Sequence, residues 1–357
     1  MVVQANKNKY KRMDKELLEY FNDDELAANV WLSKYAIEGE KTPDCMQKRM
    51  AKEFARIDKI YQKQEKQFAE NGSEADRSKY GQVRRDLTEE GIYDLFKDFK
   101  YIVPQGSIMS TLGTNQIASL SNCWVAESPV DSYAGIHKTD GDLIYYYKRR
   151  GGVGIDISNL RPANTTTNNT AKSSTGAISF MNRFSSTTRE VAMNGRRGAL
   201  MISIDVNHPD VLEFIKVKRD LTRVTGANIS IRINDDFMKA VENNEDYYLR
   251  FPCNADFNES YVDGLTRKNG VGFNEVEFPK IYNKLIKVLD INNDKLYCYT
   301  KRIKAKEYWD EMVKSARDFA EPGLMYWDNV LNNDPCSVYE EYKPVSSNPC
   351  GRMFASC

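Results

Sequence analysis

The segment Ser347-Asn348-Pro349-Cys350-Gly351-Arg352 carries the most informative pattern in the chain. Side chains alternate between the two faces of an extended segment, so Asn348, Cys350 and Arg352 are predicted to lie on one face. A free cysteine is most often a small buried hydrophobic residue, so Cys350 alone does not identify a site. The segment predicts chemistry only together with a second cysteine elsewhere in the chain.

The second candidate is Cys123, which lies in the strand-like run Ser119–Val125. On its own it is also typical of a buried core residue. Two cysteines together have another interpretation, because a thiyl-radical reduction needs one thiol to abstract a hydrogen atom and others to supply electrons. The seven cysteines include no C-x-x-C pair and the chain has 2 histidines, so neither a zinc site nor a disulfide scaffold is predicted.

Length and charge set broad limits. The 357 residues are enough for one large domain or two ordinary ones. The 51 basic and 51 acidic residues cancel, so the overall charge does not predict binding to nucleic acid or to an anionic membrane. No apolar run approaches the ~18 residues of a membrane span, and the polar N-terminus lacks the apolar core of a signal peptide. The expected location is the cytosol.

Apolar periodicity predicts helices in the first part of the chain and a mixed organisation after it. Helices are expected within residues 15–35, from Thr42 to about Phe68, and from Thr88 onward. Later, strand-like runs at Ile102–Pro104, Leu200–Ile204, Asn228–Ile233 and Leu324–Trp327 alternate with helix-like segments at 178–192, 208–218, 235–243 and 304–319. This alternation predicts an α/β sheet or barrel, with the Asn/Lys-rich stretch at about 254–300 as an excursion.

Two segments, Lys148–Gly154 and Asn194–Ala199, combine glycines with arginines. Glycines let backbone amides approach an anion closely, and arginines add positive charge. The polar loop Asn164–Gly176 lies between them, and the combination suggests phosphate and sugar binding. A turn with a solvated basic cluster explains the first segment equally well, and that segment lacks the spacing of a P-loop or a dinucleotide-binding turn.

Six short motifs occur in the order found in the large subunit of ribonucleotide reductase, which this chain resembles from about residue 15 to residue 351. They are Val103-Pro104-Gln105-Gly106-Ser107, Ser121-Asn122-Cys123, Arg149-Arg150-Gly151-Gly152-Val153-Gly154, Gly195-Arg196-Arg197-Gly198-Ala199-Leu200, Val224-Thr225-Gly226-Ala227-Asn228 and Asn348-Pro349-Cys350-Gly351. Six collinear motifs form a specific pattern, closest to the adenosylcobalamin-dependent branch. The tail Met353–Cys357 is not expected to continue it.

The resemblance implies a helical N-terminal domain over residues 1–100, followed over residues 101–357 by the first half of a ten-stranded α/β barrel. Such a barrel is built from two antiparallel five-stranded halves, with the radical cysteine on a finger loop inside. The second half would lie beyond residue 357. The chain alone is therefore expected to be inactive, to associate through its uncovered sheet, and to need a complementary C-terminal fragment.

For catalysis, the resemblance implies that Cys350 carries the thiyl radical that removes the ribose 3′-hydrogen. Cys123 would be one half of the reducing pair that becomes a disulfide, with its partner beyond residue 357. Asn348 would hydrogen-bond the ribose hydroxyls. The family's general base is a glutamate, and Arg352 stands in its place. An arginine cannot lose its proton near neutral pH, so it cannot act as that base.

For binding, the resemblance implies that Ser107, Asn122 and Gly152 line the substrate pocket. A deoxynucleoside triphosphate effector would contact Asp131, Ser132, Arg161, Lys172 and Arg197. Asn168 stands where the family often has a basic residue, and no metal site is implied. The full enzyme would bind a ribonucleotide, adenosylcobalamin, the effector, a thioredoxin-like reductant and a second copy of itself in a homodimer, but neither nucleic acid nor membrane.

Two other functions are compatible with parts of the sequence. A non-catalytic module for effector-nucleotide binding or dimerisation would keep the effector residues without the chemistry. A cysteine hydrolase is disfavoured, because its base would have to be His137 or His208, and neither lies in a recognisable nucleophile pattern. Both diphosphate and triphosphate substrates are compatible with the sequence, as are cobalamin and a separate radical subunit.

Overall fold

The computed structural model divides the chain into two compact units, one ending at Asn122 and the other beginning at Cys123. The described residues are 14–70, 87–165, 167, 170, 172–191, 198–252, 284–289, 295–339, 343–350 and 354–355. The units divide later in the chain than the predicted domain boundary at residue 100, which stays a prediction. Within these ranges, no helix has the length and apolar character needed to cross a membrane.

The first unit is helical. Its helices are α1 (Lys15–Tyr20), α2 (Glu25–Lys34), α3 (Pro43–Glu70), α4 (Glu89–Phe96) and α5 (Gly106–Thr111). The side chains of Asp14, Asp24 and Thr88 cap α1, α2 and α4 by accepting a hydrogen bond from a backbone amide. Apolar residues of α1 to α4 share one core with Leu112. The three predicted helical regions are confirmed.

The predicted strand at Ile102–Pro104 is wrong. These residues form an irregular connection into α5, and the Ile102 amide donates to the carbonyl oxygen of Leu95 in α4. A short apolar run bounded by proline is compatible with a strand or with an irregular segment that covers a helix, and periodicity alone does not separate the two.

The second unit contains strands and helices in alternation. In chain order its elements are β1 (Cys123–Val125), α6 (Tyr133–Tyr147), β2 (Gly152–Asp156), α7 (Ala177–Glu190), β3 (Leu200–Asp205), α8 (Val211–Lys216), β4 (Ala227–Ile233), α9 (Asp235–Glu242), β5 (Asp246–Pro252), β6 (Lys284–Leu289), β7 (Lys295–Lys304), α10 (Ala305–Phe319), β8 (Gly323–Tyr326), α11 (Trp327–Asn333), β9 (Ser346–Ser347) and β10 (Phe354–Ala355). The predicted strands near residues 200, 228 and 324 and the four predicted helices are confirmed.

Five strands form a parallel sheet in the order β1-β2-β3-β4-β8. A parallel sheet with helical connections confirms the predicted α/β organisation. A separate antiparallel sheet has the order β5-β7-β6. The predicted excursion at about 254–300 lies partly outside the described residues, and its described parts are β6 and the beginning of β7.

The two faces of the parallel sheet differ in polarity. One face is apolar and packs with α6 to α10 into a single core; its strand residues include Val153, Ile155, Leu200, Ile202, Ile204, Ile229, Ile231 and Ile233. The opposite face carries small and polar residues; these include Cys123, Gly152, Gly154, Asp156, Ser203, Asp205, Ser230 and Arg232. Parallel strands are usually apolar on both faces, so the polar face marks the side of the sheet where a site can form.

Gly154 tests how closely the chain packs on the polar face. A Cβ atom built at Gly154 overlaps with the carbonyl oxygen of Ser347, whereas one built at Gly141 in α6 meets nothing within 4 Å. We therefore expect Gly154→Ala to destabilise the chain by about 1–3 kcal/mol. Gly141→Ala should stabilise it by about 0.5–1 kcal/mol, because alanine is the better helix former. Thermal melts of the two variants check this, and equal melting temperatures would contradict it.

Candidate functional site

Residues 345–350, the crossing segment, lie across the polar face of the parallel sheet. At β4, Arg232 Nη1 donates to the carbonyl oxygen of Val345 over 3.0 Å. At β3, the hydroxyl oxygens of Ser203 and Ser346 are 3.1 Å apart, and both residues are fully buried. The segment therefore begins its path over the middle of the sheet with its backbone and side chains bonded to the strands.

The crossing segment next passes β2, where glycines make room for it. A Cβ atom at Gly154 would overlap with the Ser347 carbonyl oxygen, and one at Gly152 would lie 3.1 Å from Pro349 Cγ. Both glycines face the segment, because every second strand residue points to the same side. Gly152, predicted to line a substrate pocket, thus contacts the residue that precedes Cys350.

At β1 the crossing segment brings two thiols together. The Sγ atoms of Cys123 and Cys350 are 3.9 Å apart, and both cysteines are reduced thiols. Cys350 is exposed, whereas Cys123 is half-buried and Asn348 is buried. The three residues predicted for catalysis therefore lie in one place, although Cys123 is separated from the other two by more than two hundred residues of sequence.

The prediction that Asn348 and Cys350 share one face because they alternate along an extended strand is wrong. Asn348 and Cys350 do not alternate along an extended strand, because β9 ends at Ser347 and Pro349 and Cys350 lie in a turn. Proline fixes its own φ angle and favours turn positions. β9 pairs antiparallel with β10, with Ser347 opposite Phe354. Arg352, the third predicted member of the face, lies outside the described residues.

The environment of Cys123 favours the neutral thiol. Burial raises the pKa of the Cys123 thiol, and the neighbouring Cys350 raises it further. A hydrogen bond from the Asn348 side chain opposes the rise. A thiol with a raised pKa keeps its hydrogen near neutral pH, which suits hydrogen-atom or electron donation better than nucleophilic attack by a thiolate.

A comparison with protein families identifies the fold that carries this pair of thiols. The family "Ribonucleotide reductase, barrel domain" matches residues 121–356. This chain belongs to the ribonucleotide reductase family. The match contains Cys123, Asn348 and Cys350. It also runs past Gly351 to residue 356, so the expectation that the family pattern stops before Met353 is wrong.

Several similar proteins carry names from the same family. The vitamin B12-dependent ribonucleoside-diphosphate reductase of Thermoplasma acidophilum is 27% identical over 100% of this chain and 47% of its own length. The protein of the same name from Mycobacterium tuberculosis is 26% identical over 74% of this chain and 32% of its own length. The ribonucleoside-diphosphate reductase large subunit of Dictyostelium discoideum is 27% identical over 66% of this chain and 25% of its own length. The chain thus spans about half or less of these reductases.

Two residues predicted for the substrate pocket of the reductase lie in the first unit. The side-chain oxygen of Asn122 accepts a hydrogen bond from the Ser107 amide over 3.2 Å, near the start of α5. The Asn122 amide in turn donates to Gln105 over 3.4 Å. The structure therefore brings Ser107 and Asn122 together and gives their polar groups local partners, and their place in a substrate pocket stays a prediction.

Of the residues predicted to bind an effector, two lie in direct contact and the others are described separately or lie outside the described residues. Asp131 and Arg161 lie together: the carboxylate accepts from Arg161 Nε over 2.8 Å and from the Arg161 amide over 3.1 Å. Ser132 caps α6 by accepting from the Gly135 amide over 3.0 Å. Lys172 is exposed on the polar loop. Arg197 lies outside the described residues, so the effector site stays a prediction.

The first glycine–arginine segment, Lys148–Gly154, has a packing role. A Cβ atom at Gly151 would lie 2.7 Å from a ring carbon of Trp124, so glycine is needed for close contact with β1. Arg150, with φ 70°, turns the chain from α6 into β2. Lys148 lies over the Tyr145 ring at 4.1 Å. The core of the second segment, residues 192–197, lies outside the described residues.

Sequence reasoning missed the polar residues that hold the crossing segment. Asp156, Ser203 and Arg232 were assigned no role, although each interrupts an isoleucine-rich strand at an alternate position. Buried parallel strands are usually apolar throughout. The alternation of polar and apolar residues along these strands is therefore a signal that can be read from the sequence. It indicates a second, polar face, but not the partner that covers it.

The two histidines do not form a hydrolase site with these thiols. His208 is buried; one ring nitrogen lies 2.8 Å from the Leu160 carbonyl oxygen, and the other accepts from the Asp210 amide over 3.0 Å. His137 Nδ1 lies 3.3 Å from Arg183 Nη2. Because both His208 nitrogens already have backbone partners, that ring is not available as a general base.

The two neighbours of Cys123 should change its alkylation rate in opposite directions. Cys350→Ser removes a thiol that raises the Cys123 pKa, so more thiolate should form at pH 8 and iodoacetamide should react faster. Asn348→Ala removes the hydrogen bond that lowers the pKa, so the reaction should slow. Peptide mass spectrometry measures both rates, with Cys45 of the first unit as the internal reference. Changes of the same sign in both variants would contradict this account of the site.

Proposed function

We propose that this chain contributes the radical-bearing part of a ribonucleotide reductase, which reduces ribonucleotides to deoxyribonucleotides by thiyl-radical chemistry. The observation that supports this most directly is the 3.9 Å separation of the Cys350 and Cys123 sulfur atoms on the polar face of the sheet. Membership of the family and the names of the relatives point to the same reaction.

In the proposed reaction, Cys350 as a thiyl radical takes the 3′-hydrogen atom of the ribose and later returns it. Cys123 and a second cysteine, proposed to lie in the complementary half, supply two electrons and two protons. The substrate loses its 2′-oxygen as water, and the two thiols become a disulfide, so atoms and electrons balance. The raised pKa of Cys123 serves this role, because a protonated thiol carries the hydrogen that has to be delivered.

Asn348 is proposed to orient the ribose. It is 3% exposed, and its side chain is bonded to Cys123, so its amide is fixed beside the reacting sulfur atoms. A fixed amide can offer both a donor and an acceptor to ribose hydroxyls. Arg352 is not proposed as the general base for the 3′-hydroxyl, because an arginine keeps its proton near neutral pH.

Adenosylcobalamin is the proposed radical source, because several relatives are named vitamin B12-dependent reductases. The structure offers one test of fit: the Cys350 thiol is exposed, so a radical generated on a bound cofactor can reach it. When bound, the cofactor would supply the radical that removes the hydrogen atom from this thiol. Cys350 is the residue that would face it, with Asn348 and Pro349 fixing its position.

The full assembly is proposed to be larger than the described sheet. Five parallel strands crossed by a cysteine-bearing segment are what one half of a ten-stranded barrel would contain. A complementary half would supply the partner of Cys123 and the rest of the substrate pocket. A homodimer, a thioredoxin-like reductant and a deoxynucleoside triphosphate effector complete the proposal. Asp131, Ser132, Arg161, Lys172 and Arg197 are the proposed effector contacts.

Substitution of the two cysteines tests the proposed reaction. In the assembled reductase, supplied with adenosylcobalamin and a dithiol, Cys350→Ser should lower the rate by about 1000-fold or more, because a serine hydroxyl does not form the required radical. Cys123→Ser should prevent multiple turnovers, because one reducing thiol is lost. Cys45→Ser, in the first unit, should keep the wild-type rate. Turnover by the Cys350→Ser variant would exclude the mechanism, and turnover by the wild-type chain alone would exclude the need for a second half.

Substitution of Arg161 tests the proposed effector site. If the guanidinium contacts the effector phosphates, Arg161→Ala should weaken binding of a deoxynucleoside triphosphate by about 1.5–3 kcal/mol, the range for a charged hydrogen bond. Arg317→Ala, which removes another arginine paired with an aspartate, is the control and should bind as wild type does. Calorimetry that gives equal affinities for wild type and Arg161→Ala would remove Arg161 from the site.

A further inference from the structure

A buried polar cluster lies directly beneath the crossing segment. Its centre is Arg232 in β4, whose side chain is 13% exposed and whose Nε lies 3.2 Å from Asp156 Oδ2. The same guanidinium lies over the Trp327 ring, with Cζ 4.7 Å from the centroid. Its Nη1 donates to the Val345 carbonyl oxygen. One side chain thus connects two strands of the sheet to the backbone of the crossing segment.

Ser203 extends the cluster to a second point of the crossing segment. Its hydroxyl donates to Asp156 Oδ2 over 2.7 Å and lies 3.1 Å from the Ser346 hydroxyl. Asp156 is 3% exposed and therefore needs these partners, because an uncompensated buried carboxylate is very costly. The cluster thus binds two consecutive residues of the segment, Val345 through its backbone and Ser346 through its side chain.

These bonds set the register of the segment on the sheet. Cys350 follows Ser346 by four residues, and the close contact at Gly154 leaves little freedom between them. A slip of one residue along an extended segment moves the chain by about 3.3 Å. That displacement is comparable with the 3.9 Å that separates the two sulfur atoms, so a correct register at Val345 is required for the thiol pair.

We propose that Arg232 is a positioning residue, which together with Asp156 and Ser203 fixes the register of the crossing segment and so holds Cys350 beside Cys123. Its importance for turnover rests on the proposed reductase function, whereas its effect on the thiol geometry does not. Arginine is suited to this role, because its planar guanidinium can form an ion pair with Asp156 and donate to Val345 at the same time while it stacks on Trp327. Lysine would keep the charge but not this geometry.

Oxidative cross-linking of the full chain tests the geometry without requiring activity. Diamide converts the Cys123 and Cys350 thiols to a disulfide and takes up their two hydrogen atoms as it becomes a hydrazine. The sulfur atoms need only move from 3.9 Å to the bonded distance of about 2.05 Å, so wild type should cross-link rapidly. Arg232→Lys should slow this cross-link by about tenfold or more. A tenfold change corresponds to about 1.4 kcal/mol in the free energy of placing the crossing segment in its register. Ser203→Ala should slow it by a smaller factor.

The matched control is Arg219→Lys. Arg219 donates from Nε to Ser315 over 2.9 Å and from Nη2 to Glu311 over 2.7 Å, so it makes similar bonds elsewhere in the same unit. This variant should lower the melting temperature without slowing the cross-link. If the Arg232→Lys chain does not fold, Ser203→Ala decides the question. Wild-type cross-linking rates in a folded Arg232→Lys variant, or equal slowing by Arg219→Lys, would overturn the proposal.

Kinetics of the assembled reductase provide the second measurement. A positioning role predicts that Arg232→Lys lowers kcat by about the same factor as the cross-linking rate and leaves KM unchanged, because substrate contacts are retained. A raised KM with unchanged kcat would overturn it. If wild type itself shows no reductase activity, the proposed function fails, and the cross-linking result still decides whether Arg232 holds the two thiols together.

Discussion

The close approach of the crossing segment to β2 is the constraint on which the site depends. Gly154 has no side chain, and any Cβ atom there would overlap with the Ser347 carbonyl oxygen. Along the same segment, Pro349 lies beside Gly152 and Cys350 Sγ lies 3.9 Å from Cys123 Sγ. A backbone contact without room for a side chain and the pair of thiols thus lie within a few residues of each other on one segment.

The same sheet serves stability and chemistry through its two faces. Isoleucine, valine and leucine on one face share a core with the helices, and this burial is the main favourable term in folding. The opposite face would be costly to bury alone, because it carries Asp156 and Arg232. The crossing segment supplies hydrogen-bond partners to that face, so correct folding of the sheet and correct placement of Cys350 favour one another.

The electrostatic setting of the thiols distinguishes this site from those of nucleophilic cysteines. Nucleophilic cysteines lie beside cations, histidines or helix N-termini that lower their pKa. Cys123 has the opposite environment, since burial and a second thiol raise its pKa and only the Asn348 amide opposes them. A thiol in this environment keeps its hydrogen near neutral pH. This agrees with the redox role proposed for Cys123 and not with a hydrolase.

The sequence by itself determined seven helical regions, the strands β3, β4 and β8, and the pair of cysteines, because apolar periodicity and short motifs are local properties of the chain. It did not determine the turn at Pro349, the irregular course of Ile102–Pro104, or the contacts of Arg232 with Val345. Those contacts join residues more than a hundred positions apart. The periodicity of a strand indicates which of its faces is buried. It does not indicate which distant segment of the chain covers that face. Only the tertiary structure decided that the segment carrying Cys350 lies across the polar face.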